Sequence, residues 1–175
     1  MIPAAEELGL PGAFAMRIGT PADYRQLARF HYVANAPASF TLVCVIDYQR
    51  GIGQRRPVAV GVLSYPALNC RTREQAMALG QVPKEWRWVY LNRHLRTISR
   101  VIVHPQFRGI GLATEVVRFL IRQCPTQYVE AISRLSVHHP LFDRAGMRAI
   151  TPGYFLTSVA ERFSAGRLPY LSYAI

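Results

Sequence analysis

A chain of 175 residues, half hydrophobic and 18% charged, has material for one packed core and too little for two. That balance excludes a disordered chain, and no apolar run nears the ~18 residues that a membrane-spanning helix needs. Its 21 basic residues against 10 acidic ones give a formal charge of +11, which favours a polyanionic partner.

Lys84 is the single lysine, so the positive charge is almost wholly arginine, with its planar, always-charged fork of donors. Residues 1–12 hold two prolines and two glycines and read as a loosely held arm. Glu6 and Glu7 stand where a secretion signal carries positive charge, so a cytoplasmic protein is expected. Cys44, Cys70 and Cys124 are far apart and odd in number, matching neither a disulfide framework nor a zinc spacing. Buried free thiols are expected of Cys44 and Cys124.

In chain order, Ala13 to Ile18 can form a first strand. Thr20 as N-cap, Pro21 at the first helical position and Asp23 three residues after the cap predict a helix from Pro21 to about Tyr32. Leu27, Phe30 and His31 share its buried side, and His31 and Tyr32 fall at its end. Phe40–Ile46 and Pro57–Tyr65 read as two strands of a hairpin. Its tip carries Arg50, Arg55 and Arg56 and no acid, which makes it a candidate contact for a phosphate backbone. A short helix is expected over Arg71–Leu79. The segment from Pro83 to Arg96 then interleaves Trp86, Trp88 and Tyr90 with Lys84, Arg87, Arg93 and Arg96. Rings that can stack on bases, set beside phosphate-seeking cations, are a way of holding single-stranded or flipped bases. An amphipathic cover, with its tryptophans packed on a sheet, is the alternative.

The centre of the chain runs from Thr97 to Cys124. Ile98–Val103 is β-branched and aliphatic and reads as a strand, which Pro105 ends. From Leu112 the period changes: Leu112, Val116, Phe119 and Leu120 share one helical face. Between strand and helix stands Arg108-Gly109-Ile110-Gly111. The first helical turn has N–H groups without intrahelical partners and the positive end of the macrodipole. Two glycines let a ligand's phosphates approach those groups, and Arg108 adds a formal charge. The turn suits a pyrophosphate.

Thr126–Ser133 reads as the next strand, with Tyr128–Ile132 its core. Glu130 is its only acid, either the partner of an arginine such as Arg100 or a base with a raised pKa. His138-His139-Pro140 opens a short helix, and adjacent histidines point apart and match no zinc spacing, so no metal is expected. Thr157–Phe163 is expected to be helical, and Leu168–Ala174 a last strand.

His104-Pro105-Gln106-Phe107-Arg108-Gly109-Ile110-Gly111-Leu112-Ala113 resembles motif A of the GNAT superfamily, the acyl-CoA-dependent N-acyltransferases. His139-Pro140-Leu141-Phe142-Asp143-Arg144-Ala145-Gly146-Met147 resembles that superfamily's short helix and Gly-hydrophobic junction. Arg29-Phe30-His31-Tyr32, Ile98-Ser99-Arg100-Val101 and Tyr128-Val129-Glu130-Ala131 resemble a branch found fused to ABC-type ATPases and akin to phage Mom DNA-modification proteins.

The resemblance implies an α/β fold: a single GNAT-like domain over residues 13–175, its mixed sheet splayed between two central parallel strands and flanked by helices. It implies acetyl-CoA or another acyl-CoA as cofactor. Main-chain groups of Val101, Ile102 and Val103 would hold the pantetheine arm, and those of Gly109, Ile110, Gly111, Leu112 and Ala113, with Arg108, the pyrophosphate. Glu130 or His31 would be the base. Phe142 occupies the place where many GNAT enzymes carry the tyrosine that protonates the leaving thiolate, so Tyr154, Tyr32 and Ser133 stand as candidates for that role.

Three functions compete. One is an acyltransferase acting on the exocyclic amine of a nucleic-acid base, in DNA as Mom-like proteins do or in tRNA, with Arg100 among its contacts. The others are the same chemistry on a protein or small-molecule amine, and a silent nucleic-acid-binding module. No membrane partner is expected, and a homodimer is left open.

Overall fold

Near-continuous apolar strands make the sheet, and helices cover its two faces. The computed structural model of the chain describes residues 13–32, 35–133 and 139–159. The expected arm, the expected last strand and His138 lie outside them. Seven strands run β1 (Ala13–Ile18), β2 (Leu42–Gln49), β3 (Arg56–Ser64), β4 (Leu95–Val103), β5 (Tyr128–Ile132), β6 (Arg148–Thr151) and β7 (Tyr154–Ser158). Their order across the sheet is β1-β2-β3-β4-β5-β7-β6, and among the described residues β4–β5 is the one parallel pair. Thr157 and Ser158 close β7 rather than opening a helix, with Thr157 paired to Val129.

The strands bury both faces, as their near-continuous apolar runs require. Cys44 and Ile46 of β2 point to one core and Val43 and Val45 to the other. Helix α4 (Leu112–Arg122) packs Leu112, Val116, Val117, Leu120 and Ile121 on the first face. It lies so close to β3 that a Cβ at Gly61 would come within 2.3 Å of a Val116 methyl. Helix α1 (Pro21–Leu27) covers the second face with Tyr24 and Leu27. A third cluster, at the β5–β7 side, gathers Met77, Leu79, Leu91 and Leu95 around Tyr128, Tyr154 and Leu156.

Helix α1 is shorter than the sequence predicts. It ends at Leu27 and passes through a single 3₁₀ turn over Ala28–Phe30, after which His31 is extended. The aromatic run Phe30-His31-Tyr32 lacks good helix formers, and the chain leaves the helix where those rings reach the mouth of the sheet. Helix α2 (Arg71–Ala76) and a 3₁₀ turn at Leu79–Gln81 occupy the expected short helix. The aromatic and basic segment forms helix α3 (Lys84–His94), and its end, Leu95–Arg96, belongs to β4 instead. The short helix α5 (Leu141–Arg144) completes the described elements. No described helix is long and apolar enough to cross a membrane.

Candidate active site

The site begins where β4 and β5 part. Their parallel pairing covers Leu95–Ile98 against Tyr128–Ala131 and stops there. Beyond it, residues 100–103 of β4 still pair with β3 on one side, Ser99 falling at an irregularity of that ladder, and no described strand lies on the other. In an antiparallel ladder, alternate residues direct both main-chain groups to the partner. His104 N–H donates to Val58 O at 2.8 Å, so Ile102 and Arg100 are the residues turned toward β3. Val101 and Val103 therefore present their N–H and C=O groups to the gap. Ile102, also expected to hold a cofactor, has its main chain committed to Val60.

The gap runs into the glycine turn. Pro105–Phe107 make a 3₁₀ turn, and Gly109 and Gly111 follow with φ of +86° and +91°. Side chains rarely adopt that region, so both positions demand glycine for backbone reasons alone. A Cβ at either would meet no atom within 4 Å, so the corner is open. Gly111 caps α4, and its carbonyl accepts from Thr114 and Glu115 N–H at 3.0 and 3.2 Å. The Arg108 side chain folds back, its Nε donating to Val103 O at 3.2 Å and Nη2 to Phe30 O at 3.4 Å.

Two cavities share this groove. One, of about 540 Å³, is lined by Val101–Val103, Arg108, Gly109, Gly111–Thr114, Arg29 and Arg144 among others. The other, of about 590 Å³, lies toward β5 and is lined by Ile98–Val101, Ile132, Ser133 and Phe142. His31, Tyr32, Val101, Arg108, His139 and Leu141 line both. Among the described residues neither lining contains a carboxylate. Tyr32 is 68% exposed and stacks on His31 with ring centroids 4.6 Å apart. Phe142 is buried against Phe155 and brings no hydroxyl. Ile110 lines only a shallow neighbouring hollow.

Glu130 and Tyr154 are not in the groove, which corrects both as catalytic candidates. Glu130 is fully buried, and Arg73 of α2 binds it with two donors, Nε to Oε2 at 2.8 Å and Nη2 to Oε1 at 2.6 Å. Thr97 and Tyr154 hydroxyls donate to the same carboxylate at 2.6 and 3.0 Å. All its acceptor sites face the protein, and its arginine is Arg73 rather than Arg100. Burial, then the neighbouring carboxylate, drives the Tyr154 phenol pKa far up, so that hydroxyl stays protonated and bound.

The expected nucleic-acid residues divide between the two ends of the sheet. Arg50, Arg55 and Arg56 are exposed at the β2–β3 tip, beside the Val103 end of β4. Helix α3 precedes the Leu95 end, about 25 Å away by the rise of a strand. Trp86 and Trp88 are 60% and 54% exposed, so neither packs on the sheet, and Arg93 is exposed with them. Arg87 is half-buried and donates to Val82 O at 3.0 Å. Arg96 is buried, bonded to the carbonyls of Asn92 and Leu95 and lying over Tyr65 at 4.4 Å. It is a structural residue, and that is a correction. Arg100 lines the second cavity, its terminal nitrogens bound to Ser99 O and Asn35 O.

The sequence reading missed Arg29, Ser99, His139 and Arg144, which line the cavities. Ser99 shares a 2.6 Å hydrogen bond with Ser64, across the β3–β4 pair. Arg29 and His139 lay inside stretches already singled out, so their nearness to the motif was the available signal.

Residues 70–146 match the model of the acetyltransferase (GNAT) family. No curated protein matches the sequence. Among solved structures, one similar chain is a GNAT family N-acetyltransferase (YhbS) from Escherichia coli in complex with CoA. It is 11% identical, with 87% of this chain and 85% of that one covered and a TM-score of 0.52. Another is a GNAT family acetyltransferase from Brucella melitensis in complex with acetyl-CoA, at 15% identity, 83% and 87% coverage and 0.50. A third is NAA60 of Arabidopsis thaliana in complex with acetyl-CoA, at 11% identity, 83% and 99% coverage and 0.59. At such identities the likeness is one of fold.

Proposed function

We propose, on the premise that this chain belongs to the GNAT acetyltransferase superfamily, that it is an N-acyltransferase moving an acyl group from acyl-CoA to the exocyclic amine of a nucleic-acid base. One observation carries the reading: the edge of β4 over residues 99–103, unpaired among the described residues, runs directly into an open glycine turn. An extended arm with amide groups can pair with such an edge, and a diphosphate suits unpartnered helix N–H groups. Val101 and Val103 would hold the arm, and the amides from Gly109 to Ala113, with Arg108, the diphosphate. Bound there, the coenzyme would supply the acyl group as a thioester.

The chain's own residues supply the rest. Val101 N–H faces the gap, where a fixed donor is most effective if charge develops on a carbonyl oxygen. His31, Tyr32 and Ser133 line the acceptor side and are the candidates for moving protons. Among the described residues an aliphatic ammonium would find no carboxylate there to pair with it or take its proton. A neutral exocyclic amine needs no deprotonation before it attacks, and the proton that it sheds as the amide forms passes to the leaving thiolate. The exposed Trp86 and Trp88, the +11 charge and the resemblance to the Mom-like branch support a nucleic-acid acceptor, DNA or tRNA.

The test is mass spectrometry of nucleosides after incubating the protein with acyl-CoA and either DNA or tRNA. A mass increase on a base is expected, and transfer only to lysine peptides or small amines would overturn the acceptor assignment. Gly111→Val should abolish coenzyme binding by calorimetry, because φ of +91° strains the variant by about 1–3 kcal/mol and its side chain fills the corner. Unchanged binding would overturn the cofactor assignment.

A further inference from the structure

Beside the glycine turn, and separate from its amides, Arg29, Arg56 and Arg108 stand on the segments that adjoin His104. The His104 ring meets Phe30 edge-on at 4.7 Å, and Arg29 lies over that same Phe30 ring at 4.8 Å. Arg108 reaches the Phe30 carbonyl, and Arg56 opens β3 two residues before Val58, the main-chain partner of His104. Burial holds the His104 pKa below its usual value, and the charges of Arg29, Arg56 and Arg108 lower it further. His104 Nδ1 accepts from Gln106 N–H at 3.4 Å, which leaves the ring proton on Nε2 as a donor.

No described carboxylate forms an ion pair with these three arginines; the described ion pairs engage Arg17, Arg73 and Arg118. Like charges with no described counter-ion repel one another, and an anion placed among them turns that repulsion into attraction. A phosphate monoester carries between one and a half and two negative charges at neutral pH, more than a diester can, and offers three acceptor oxygens. Arg29 and Arg108 also line the cavity of the glycine turn.

We propose that Arg29, Arg56, Arg108 and His104 form a phosphate-monoester site that takes the 3′-phosphate of the coenzyme whose diphosphate the glycine turn receives. The proposal rests on the acyl-CoA reading and adds a discrimination to it: the chain selects CoA over 3′-dephospho-CoA. A cation cluster of this kind is worth about tenfold in affinity, shrinking as salt screens it.

The experiment is calorimetry of the full chain with CoA and with 3′-dephospho-CoA. The wild type should bind CoA about tenfold more tightly. The double variant Arg29→Ala/Arg56→Ala, with its unfolding temperature measured alongside, should bind both compounds with the wild type's affinity for dephospho-CoA. Equal wild-type affinities would overturn this site and leave the acyl-CoA reading intact. Failure to bind either compound would overturn both. If Arg56→Gln weakens a single-stranded oligonucleotide while the ratio between the coenzymes holds, the cluster serves backbone diesters and the proposal is wrong.

Discussion

Glu130 shows how one residue can look catalytic in a sequence and be structural in space. A lone acid in an apolar strand has two fates, and the side chain that decides between them, Arg73, lies 57 residues away. With Arg73, Thr97 and Tyr154 around it, the carboxylate ties α2, β4, β5 and β7 together just below the point where the sheet divides. Breaking a buried pair leaves its partner's charge uncompensated. Glu130→Gln should therefore destabilise the fold by about 3–5 kcal/mol, read by chemical denaturation. Turnover per folded molecule should persist; loss of turnover with undiminished stability would restore Glu130 as the base. Cys44 is a simpler case. Burial pushes its thiol up to about 12, so it matches the expected buried free thiol.

At the scale of elements, α1 is held to the sheet by charge as well as by Tyr24 and Leu27. Arg17 on β1 bridges Asp47 on β2 at 2.6 Å and Asp23 in the first turn of α1 at 2.8 Å. Asp23 also accepts from Thr20 N–H at 2.8 Å, completing a capping box. The Arg17 hydrogen bond, opposed by burial, brings the Asp23 pKa from 3.8 to about 2. A depressed carboxylate stabilises the fold above its unfolded pKa, and the gain disappears as pH falls through the folded value. Stability should thus drop between about pH 4 and pH 2, and Asp23→Asn should flatten that part of the acid-unfolding curve. An unaltered curve would show that the bridge contributes nothing. Helix α3 makes the opposite case. It buries only Leu91 and leaves Trp86 and Trp88 in water, so Trp86→Ala/Trp88→Ala should leave the melting temperature nearly unchanged. If the helix stacks on bases, the same variant loses oligonucleotide retention in a gel shift; undiminished retention would remove α3 from the acceptor surface.

For the molecule as a whole, the arginines of the hairpin tip and those of α3 stand at two ends of one sheet, with the groove between them. The hairpin tip and the His104 cluster lie at one end and α3 at the other, so a nucleic acid that meets both must cross the open side of β4. Binding through several phosphates releases counter-ions, and the logarithm of affinity for an oligonucleotide should fall steeply and linearly with the logarithm of salt. A slope near zero would count against every polyanion reading of this surface.

Local information in the chain was enough for the strand–glycine turn–helix of residues 98–122, because turn geometry and helical period are properties of neighbouring residues. The hairpin followed from the same patterns, whereas the parallel pair and the GNAT-like domain were implied by the resemblance that residues 104–113 and 139–147 carry. What the sequence could not decide were pairings between distant segments. Arg73 meets Glu130, Arg96 turns inward over Tyr65, and α1 stops early so that His31 and Tyr32 reach the groove. Those outcomes depend on which surfaces packing brings together, and burial then sets whether a charge is a tool for chemistry or a fastening in the core.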